Sequence, residues 1–250
     1  MITDVVLGIQ YGDEGKGKVT HCLLKTGDYT HCVRFNGGCN AGHTIYHNGV
    51  KIVTHHIPAG VFFNVKSIIG SGCVIDPVKL FAEIVKLENA GINVRDNLLI
   101  AYNAHVITAA HKHSDGHDTR IGTTRTGNGP AYSDKHARTG LRAADIPALS
   151  HYICDMKEEL QPDSVVLAEG AQGFWLDIDH GNYPYVTSSA CGVAAVIQNG
   201  IPYSSICSVY GVIKGYETYV GALAFQTADP AFPELQRIGE EFGATTCLLY

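Results

Sequence analysis

An α/β fold with a mostly parallel central sheet flanked by helices is predicted from three observations. Short apolar runs alternate with longer amphipathic segments along the chain, which is typical of strands joined by crossover helices. A glycine-rich, P-loop-like turn follows the first apolar run, as in phosphate-binding loops. The chain has 250 residues, of which 45% are hydrophobic, so it can bury one large core. We therefore expect one domain that spans residues 1–250.

Six apolar runs have the length and composition of buried strands. They occupy residues 5–9, 31–35, 67–69, 97–101, 164–167 and 205–212. Residues 77–90 predict a helix, because apolar side chains recur every three to four residues after Asp76 and Gly91 follows the last of them. Residues 146–160 predict a second helix on the same grounds.

Charge and composition narrow the functional classes. The formal net charge of −6 argues against a nucleic-acid-binding protein, so we expect the local basic residues to bind a small anion. No run approaches 18 apolar residues, and the N-terminus lacks a signal-peptide pattern. The eight cysteines include no C-x-x-C pair, which favours reduced thiols. We expect a cytoplasmic protein, in the host cytoplasm if the chain is viral, that binds no membrane.

A glycine-rich loop follows the first predicted strand and reads DVVLGIQYGDEGKGKVT over residues 4–20. Its glycines let backbone N–H groups approach a polyphosphate, and its two lysines add positive charge at the start of a helix. The spacing from Gly12 to Lys18 matches the front of a P-loop. Val19, however, stands where that motif has the Ser or Thr that holds Mg²⁺.

Two acids inside this loop, Asp13 and Glu14, are unexpected. A carboxylate beside phosphates is repelled unless a metal ion or a proton-transfer step explains it. Three interpretations stay open on these residues alone: an ordinary strand-to-helix turn, a P-loop nucleoside triphosphatase, and a phosphate loop with its own acid–base chemistry.

Three further polar segments follow predicted strands. Residues 33–44 bracket His43 with glycines, and His43 offers a proton donor with a pKa suited to work near pH 7. Residues 121–142 combine threonine hydroxyls with cationic side chains, which suits a second phosphate. Residues 169–189 concentrate amides, carboxylates and hydroxyls. Since ligands of open α/β sheets gather at the carboxyl ends of the strands, we expect these segments and the first loop to converge.

Seven motifs together resemble the adenylosuccinate synthetase family. In chain order they are GIQYGDEGKGK, VRFNGGCNAGHT, HHIPAGVF, IGSGCVIDP, GTTRTGNGPAYSDKHARTG, EGAQGFWLDIDHGNYPYVTSS and GVIKGYETYVG. The resemblance covers nearly the whole chain. It implies a C–N bond-forming ligase that joins L-aspartate to carbon 6 of a purine monophosphate, with a nucleoside triphosphate and Mg²⁺, through a 6-phosphoryl intermediate.

The resemblance also implies roles for individual residues. Asp13 would remove the purine N1 proton and bind Mg²⁺, and His43 would donate to the γ-phosphate or the 6-oxygen. The carbonyl of Gly42 would be a second Mg²⁺ ligand. The triphosphate would be bound by Gly12, Gly15, Lys16, Gly17, Lys18, Gly42 and Thr44. The monophosphate would be bound by Asn40, Thr124, Arg138, Gln172 and Thr187, with Arg138 reaching across the interface of a homodimer.

Three features depart from the family's pattern. A short interval separates Asp145 from the EGAQG motif, where most cellular members have a large segment. Tyr219 stands at the position of an arginine in the family's Y-T-T-R-V-G motif. Thr245 and Thr246 lead into Cys247–Tyr250 in place of the basic loop that grips L-aspartate and the later segment that recognises guanine. We assign the aspartate contacts to Thr245 and Thr246, and expect either a partial sequence or a differently built aspartate site.

Two substrate pairs remain open. The compact chain and the motifs TTRTGNGPAY and YETYVG favour the phage 2-aminoadenylosuccinate synthetases, which act on dGMP, often with ATP. Asp13 is instead expected of the enzyme that acts on IMP with GTP, because some phage members carry a smaller residue there. A nucleotide-sensing, GTPase-like module is the alternative of another class, and it leaves residues 122–138 and 170–187 without a purpose.

Overall fold

The computed structural model describes residues 1–47, 49–224, 230–239 and 246–249, with the backbone alone for Phe232 and residues 246–249. Within these ranges the strands are β1 (Ile2–Gly8), β2 (His31–Arg34), β3 (His43–His47), β4 (Val50–Thr54), β5 (Lys66–Ile69), β6 (Val74–Ile75), β7 (Leu98–Ala101), β8 (His105–Val106), β9 (Ile153–Cys154), β10 (Val165–Glu169), β11 (Ile206–Val212), β12 (Tyr216–Tyr219) and β13 (Thr246–Leu249). The helices are α1 (Lys16–Thr26), α2 (Pro77–Asn89), α3 (Ala109–Gly116), α4 (Asn128–Ala137), α5 (Met156–Glu159), α6 (Val193–Gln198) and α7 (Phe232–Gly239).

The centre of the fold is a parallel sheet. In the described part of the chain it has seven strands in the order β11-β1-β10-β2-β5-β7-β9, and every neighbouring pair runs parallel. All six predicted strands belong to it. The predicted α/β fold is therefore confirmed, and only the ends of the strands differ from the prediction, as is usual for element boundaries.

The helix predicted at residues 77–90 is confirmed as α2. The Asp76 side chain begins this helix by accepting the N–H groups of Val78 and Lys79, at 3.1 and 3.4 Å. Pro77 occupies the first turn, where its missing N–H group has no helical partner to lose.

The helix predicted at residues 146–160 is wrong. The structure has a 3₁₀ turn at Pro147–Tyr152, then the strand β9, then the short helix α5, which Asp155 caps by accepting the N–H of Lys157 at 2.9 Å. Leu149 and Tyr152 are buried. The apolar spacing thus serves three short elements packed at the sheet edge, and periodicity cannot distinguish them from one helix.

Helices cover both faces of the sheet. Successive strand residues point to opposite faces, so Val6 joins a core cluster with side chains of α1 and α2, whereas Val5 joins a second cluster with α6. This double burial explains why the strands read as continuous apolar runs, without alternation. No described helix is long and apolar enough to span a membrane.

The strand ends position the loops that carry the polar motifs. Because the strands are parallel, the carboxyl ends of β11, β1, β10 and β2 lie at the same edge of the sheet. The register places Val6 beside Glu169, and Glu169 beside Arg34. Gly8 and Val212 are paired in the same way. The loops that follow these strands open together onto one cleft, as expected for an open α/β sheet.

Candidate active site

The cleft at this edge has a volume of 1330 Å³. It is lined by residues 11–19, 40–44, 120–124, 128–130 and 186–188, and by Gln172. The predicted convergence of the polar segments is therefore confirmed. The volume exceeds the range of about 300–1,000 Å³ that is common for single ligand pockets, so the cleft has room for more than one ligand.

Most of the predicted site residues border this cleft. They are Gly12, Asp13, Gly15, Lys16, Gly17, Lys18, Asn40, Gly42, His43, Thr44, Thr124, Gln172 and Thr187. Arg138 does not border it: this residue ends α4 in a left-handed conformation with φ of 64° and is exposed. Thr245 lies outside the described residues. Thr246 pairs with Tyr219 through the backbone of β13. The roles of all these residues stay predictions.

Residues 9–18, which we call the phosphate loop, join β1 to α1. Gly12 and Gly15 both have φ of 90°, a left-handed conformation that glycine adopts without strain. Gly15 precedes α1, and no side chain caps the N–H groups of the first turn. Because that turn borders the cleft, its backbone N–H groups and the helix dipole suit an anionic ligand.

Glu14 is held inside the phosphate loop. Its Oε1 accepts the N–H groups of Gln10 and Gly12, at 3.1 and 2.9 Å. Its Oε2 lies 2.5 Å from Nζ of Lys16, and both side chains are buried. One of the two unexpected acids is therefore a structural group, and it neutralises one of the two lysines that we assigned to the triphosphate.

Asp13 is the acid that the loop presents to the cleft. Its side chain is exposed, and its φ of 57° places it in the left-handed region. A non-glycine residue in that region is strained, and such residues concentrate at functional sites. The loop thus buries Glu14 and leaves Asp13 exposed at the cleft.

His43 is buried against a carboxylate that the sequence analysis did not assign. Its Nδ1 lies 2.6 Å from Oε1 of Glu169. Arg34 reaches the same oxygen through Nη2 at 2.5 Å and Nε at 3.0 Å. A carboxylate at 2.6 Å favours the tautomer with the proton on Nδ1, because an ionised carboxylate can only accept. Nη2 of Arg34 lies 3.1 Å from the same nitrogen. Nε2 has no hydrogen-bond partner among the described residues.

The surroundings of His43 make it neutral. Burial, followed by the charge of Arg34, lowers the pKa of His43 to about 4. Burial by itself would raise the pKa of Glu169, but Arg34 and His43 hold it well below its usual range. The expectation of a histidine pKa near 7 is therefore wrong for this structure. An anionic phosphate near Nε2 would raise that pKa again, because it favours the charged imidazolium.

Amides and hydroxyls line another part of the cleft. Gln172 donates from Nε2 to Oδ1 of Asn40 at 3.3 Å, and its own Oε1 is buried with no hydrogen-bond partner among the described residues. Thr124 stands shortly before helix α4 in the sequence. Gly127, at the N-cap of this helix, has no side chain that could cap its first turn. These groups suit the phosphate and ribose of a second nucleotide.

Six residues of the GVIKGYETYVG motif border the cleft without having been assigned a role, among them Lys214 and Tyr219. Lys214 is fixed by the Gln10 side chain, which bonds both its backbone N–H and its carbonyl at 3.0 Å. Tyr219 packs edge-on against Tyr11 with ring centroids 5.9 Å apart. Burial raises the pKa of Tyr219 to about 12, so this position carries no charge at neutral pH. The sequence feature that could have pointed to both residues is that they follow the carboxyl end of strand β11.

The donor set of the cleft fits Mg²⁺. Asp13 offers a carboxylate and Gly42 a backbone carbonyl, and both are exposed residues that border the cleft. Mg²⁺ commonly takes one or two carboxylates together with waters and substrate phosphates. No described group of three or more His, Cys, Asp or Glu residues could hold a metal by itself, so a metal here depends on the oxygens of a bound phosphate.

Comparisons with known proteins agree with this geometry. The family model for adenylosuccinate synthetase matches residues 5–155 and 146–248. The chain is 38% identical to the adenylosuccinate synthetase of Chlorobium chlorochromatii, covering 98% of this chain and 69% of that relative. The enzyme of Desulfotalea psychrophila is also 38% identical, over the same shares.

Two solved structures are similar over most of the chain. The fully ligated adenylosuccinate synthetase from Plasmodium falciparum superposes with a TM-score of 0.88 at 33% identity, covering 98% of this chain and 71% of that one. The cyanophage S-2L succinoaminodeoxyadenylate synthetase PurZ, bound to dGMP and dATP, superposes with a TM-score of 0.77 at 25% identity. It covers 88% of this chain, which matches 67% of that one.

Proposed function

Because this chain belongs to the adenylosuccinate synthetase family of C–N bond-forming ligases, we propose that it joins L-aspartate to carbon 6 of a purine 5′-monophosphate at the expense of a nucleoside triphosphate. One observation carries the proposal: a single cleft is bordered by an exposed acid, Asp13, a histidine beside a carboxylate, His43, and two groups of residues that suit phosphates. A protein that only binds a triphosphate has no use for the second group.

The phosphate loop and the first turn of α1 would bind the triphosphate. Backbone N–H groups and the exposed Lys18 supply the donors, while Lys16 would have to leave Glu14 to contribute. Mg²⁺, when bound by Asp13 and the carbonyl of Gly42, would neutralise phosphate charge. The monophosphate would lie against Asn40, Thr124, Gln172 and Thr187, with Arg138 supplied by the partner in a homodimer.

Asp13 would act as the base on the purine. The 6-oxo group of a purine is amide-like and a poor leaving group, so it must be made nucleophilic and phosphorylated before an amine can displace it. Removal of the N1 proton by the Asp13 carboxylate pushes electron density onto the 6-oxygen, which then attacks the γ-phosphorus and displaces the nucleoside diphosphate. His43 would stabilise the charge on the transferred group from Nε2. The amine of L-aspartate then attacks carbon 6 and expels phosphate.

For the substrate pair we propose dGMP with ATP. The support is the short interval before EGAQG, the uncharged Tyr219 at the family's arginine position, and the similarity to the cyanophage enzyme that binds dGMP and dATP. The second candidate is IMP with GTP, which is favoured by Asp13 and by curated relatives named adenylosuccinate synthetase.

The deciding experiment crosses these substrates. The protein is incubated with Mg²⁺ and L-aspartate, with IMP or dGMP and with GTP or ATP, and both phosphate release and the succino-nucleotide product are measured. Product from dGMP alone supports the phage-type reaction, and product from IMP alone overturns it. Triphosphate binding without aspartate-dependent phosphate release in any combination would overturn the ligase and favour the nucleotide-sensing module.

Asp13→Asn tests the base directly. Asparagine tolerates the left-handed backbone, so the loop should keep its conformation. We expect turnover to fall by about 10²–10⁴-fold, the usual contribution of general base catalysis, with an unchanged unfolding temperature. The matched control is Asp28→Asn, an exposed carboxylate that does not border the cleft. Turnover near the wild-type rate in Asp13→Asn would contradict the assigned role.

A further inference from the structure

Glu169 lies directly behind His43 and takes no part in the reaction as proposed above. It ends β10, and its side chain is fully buried. Both carboxylate oxygens are engaged. Oε1 accepts from Arg34 and from Nδ1 of His43, while Oε2 accepts the N–H of Ala59 at 2.9 Å and lies 3.7 Å from Sγ of Cys32.

These contacts fix the carboxylate from three parts of the fold. Arg34 is the register neighbour of Glu169 on β2, and Ala59 begins the 3₁₀ turn that packs beneath the sheet. The carboxylate therefore cannot rotate away without leaving buried donors unpaired, which is unfavourable. Nδ1 of His43 lies against this fixed acceptor, so Glu169 is placed to determine which ring nitrogen carries the proton.

A second buried carboxylate provides a contrast. Glu83 accepts the backbone N–H groups of His55, His56 and Ile57, at 2.9, 3.0 and 3.2 Å. It holds a chain segment together and does not border the cleft. Glu169 instead makes its shortest contacts with the side chains of Arg34 and His43, and His43 borders the cleft. Because replacing a buried ion pair with apolar residues is often neutral for stability, stability alone gives little reason to retain this one.

We propose that Glu169, assisted by Arg34, is a positioning residue that holds His43 in the Nδ1-protonated tautomer and directs Nε2 toward the phosphoryl group being transferred. The role of Nε2 rests on the proposed function, whereas the tautomer does not. Without the negative charge, and with an NH2 donor that can turn toward Nδ1, an amide at this position would let the proton move to Nε2, which would present a different hydrogen-bonding pattern to the same ligand.

The test compares Glu169→Gln with Glu83→Gln. Proton–nitrogen correlation NMR of the nucleotide-free protein at pH 7 identifies which ring nitrogen of His43 carries the proton. We expect Nδ1 in the wild type and in Glu83→Gln, and Nε2 or a mixture in Glu169→Gln. We expect kcat of Glu169→Gln to fall by about 10²–10⁴-fold, as when a histidine loses its orienting carboxylate, while KM for the monophosphate stays within a few-fold.

Three results would overturn the proposal. They are a proton on Nε2 of His43 in the wild type, a folded Glu169→Gln with kcat near the wild-type value, and an equal loss of kcat in Glu83→Gln. The wild-type tautomer measurement decides even if Glu169→Gln does not fold. If no substrate pair gives product, the proposed function fails on its own, and the NMR result still decides whether Glu169 sets the tautomer.

Discussion

Nζ of Lys16 lies 2.5 Å from Oε2 of Glu14, inside the loop whose sequence assigns that lysine to a triphosphate. The two side chains are buried, and Glu14 also holds the N–H groups of Gln10 and Gly12. Glu14, an acid that is unexpected in a phosphate loop, therefore holds the backbone of this loop in place. It also pairs with Lys16, so that the charges of the two buried side chains cancel.

The first prediction concerns this pair. Glu14→Gln leaves the Lys16 ammonium buried without a counter-ion, so we expect the free energy of unfolding to fall by about 3–5 kcal/mol, measured by urea denaturation. The matched control is Lys25→Met, which removes an exposed lysine from the last turn of the same helix and should change stability by less than about 0.5 kcal/mol. Similar small effects in both variants would mean that the pair does not organise the loop.

The second prediction concerns the contact between the phosphate loop and the EGAQG motif. A Cβ at Gly173 would lie 2.3 Å from the carbonyl oxygen of Gln10 and 2.7 Å from the backbone N of Gly12. We expect Gly173→Ala to lower the free energy of unfolding by about 1–3 kcal/mol and to weaken triphosphate binding, measured by calorimetry.

Gly116→Ala is the control for that variant. A Cβ at Gly116 meets no atom within 4 Å, and the residue lies in helix α3. Alanine is the better helix former by about 1 kcal/mol, so the control should be neutral or slightly more stable and should bind the triphosphate as before. Weakened binding in the control as well would point to a general effect of the substitution.

The third prediction is a pH dependence that arises from Glu83. Burial by itself would raise the pKa of Glu83, but His56 and the backbone N–H groups that it accepts lower it overall. The folded state therefore binds this proton less readily than the unfolded chain. The stabilisation is present above the unfolded glutamate pKa of about 4.3 and is lost as the pH falls through the folded value.

Glu83→Gln provides the measurement. The stability difference between wild type and Glu83→Gln, from urea unfolding, should be largest near pH 7 and should narrow as the pH falls below about 4.3. A difference that stays constant from pH 7 to pH 3 would mean that the charge of Glu83 contributes nothing.

The fourth prediction concerns the proposed homodimer. Arg138 is exposed and does not border the cleft of its own chain, although the resemblance assigns it to the monophosphate. We expect Arg138→Leu to raise KM for the monophosphate. Mixing Arg138→Leu with Asp13→Asn should restore part of the activity, because one site of the mixed dimer then has both wild-type residues. Absence of any recovery after exchange of subunits would place the complete site within one chain.

The fold was predictable because its strands are marked twice in the sequence. Six of the seven strands of the central sheet are short apolar runs, and most of these are followed by glycine or polar residues where a loop must leave the sheet. The prediction failed at residues 146–160, where Leu149 and Tyr152 have helical spacing but belong to a 3₁₀ turn at the sheet edge. Their burial depends on where β9 pairs with β7, a long-range contact that local spacing cannot report.

The loops that form the site were predictable from the sequence, whereas the contacts between their side chains were less so. The rule that ligands bind at the carboxyl ends of parallel strands correctly brought Asp13, His43 and Gln172 to one cleft. It could not distinguish Asp13, which is exposed at the cleft, from Glu14, which is adjacent in sequence but buried inside the loop. It also missed Glu169, because a carboxylate at a strand end resembles any other polar residue at a loop start.

The sequence by itself determined the family, the order of the strands along the chain and the loops that carry the chemistry, because these depend on local composition and on motifs that can be recognised one at a time. Only the tertiary structure decided the charge state of the site. The pKa of His43 falls to about 4 because the chain buries it and brings Arg34 close, while Glu169 arrives from a strand 126 positions further along. Electrostatic energies depend on distances through space and on burial, and neither is encoded in any single stretch of sequence.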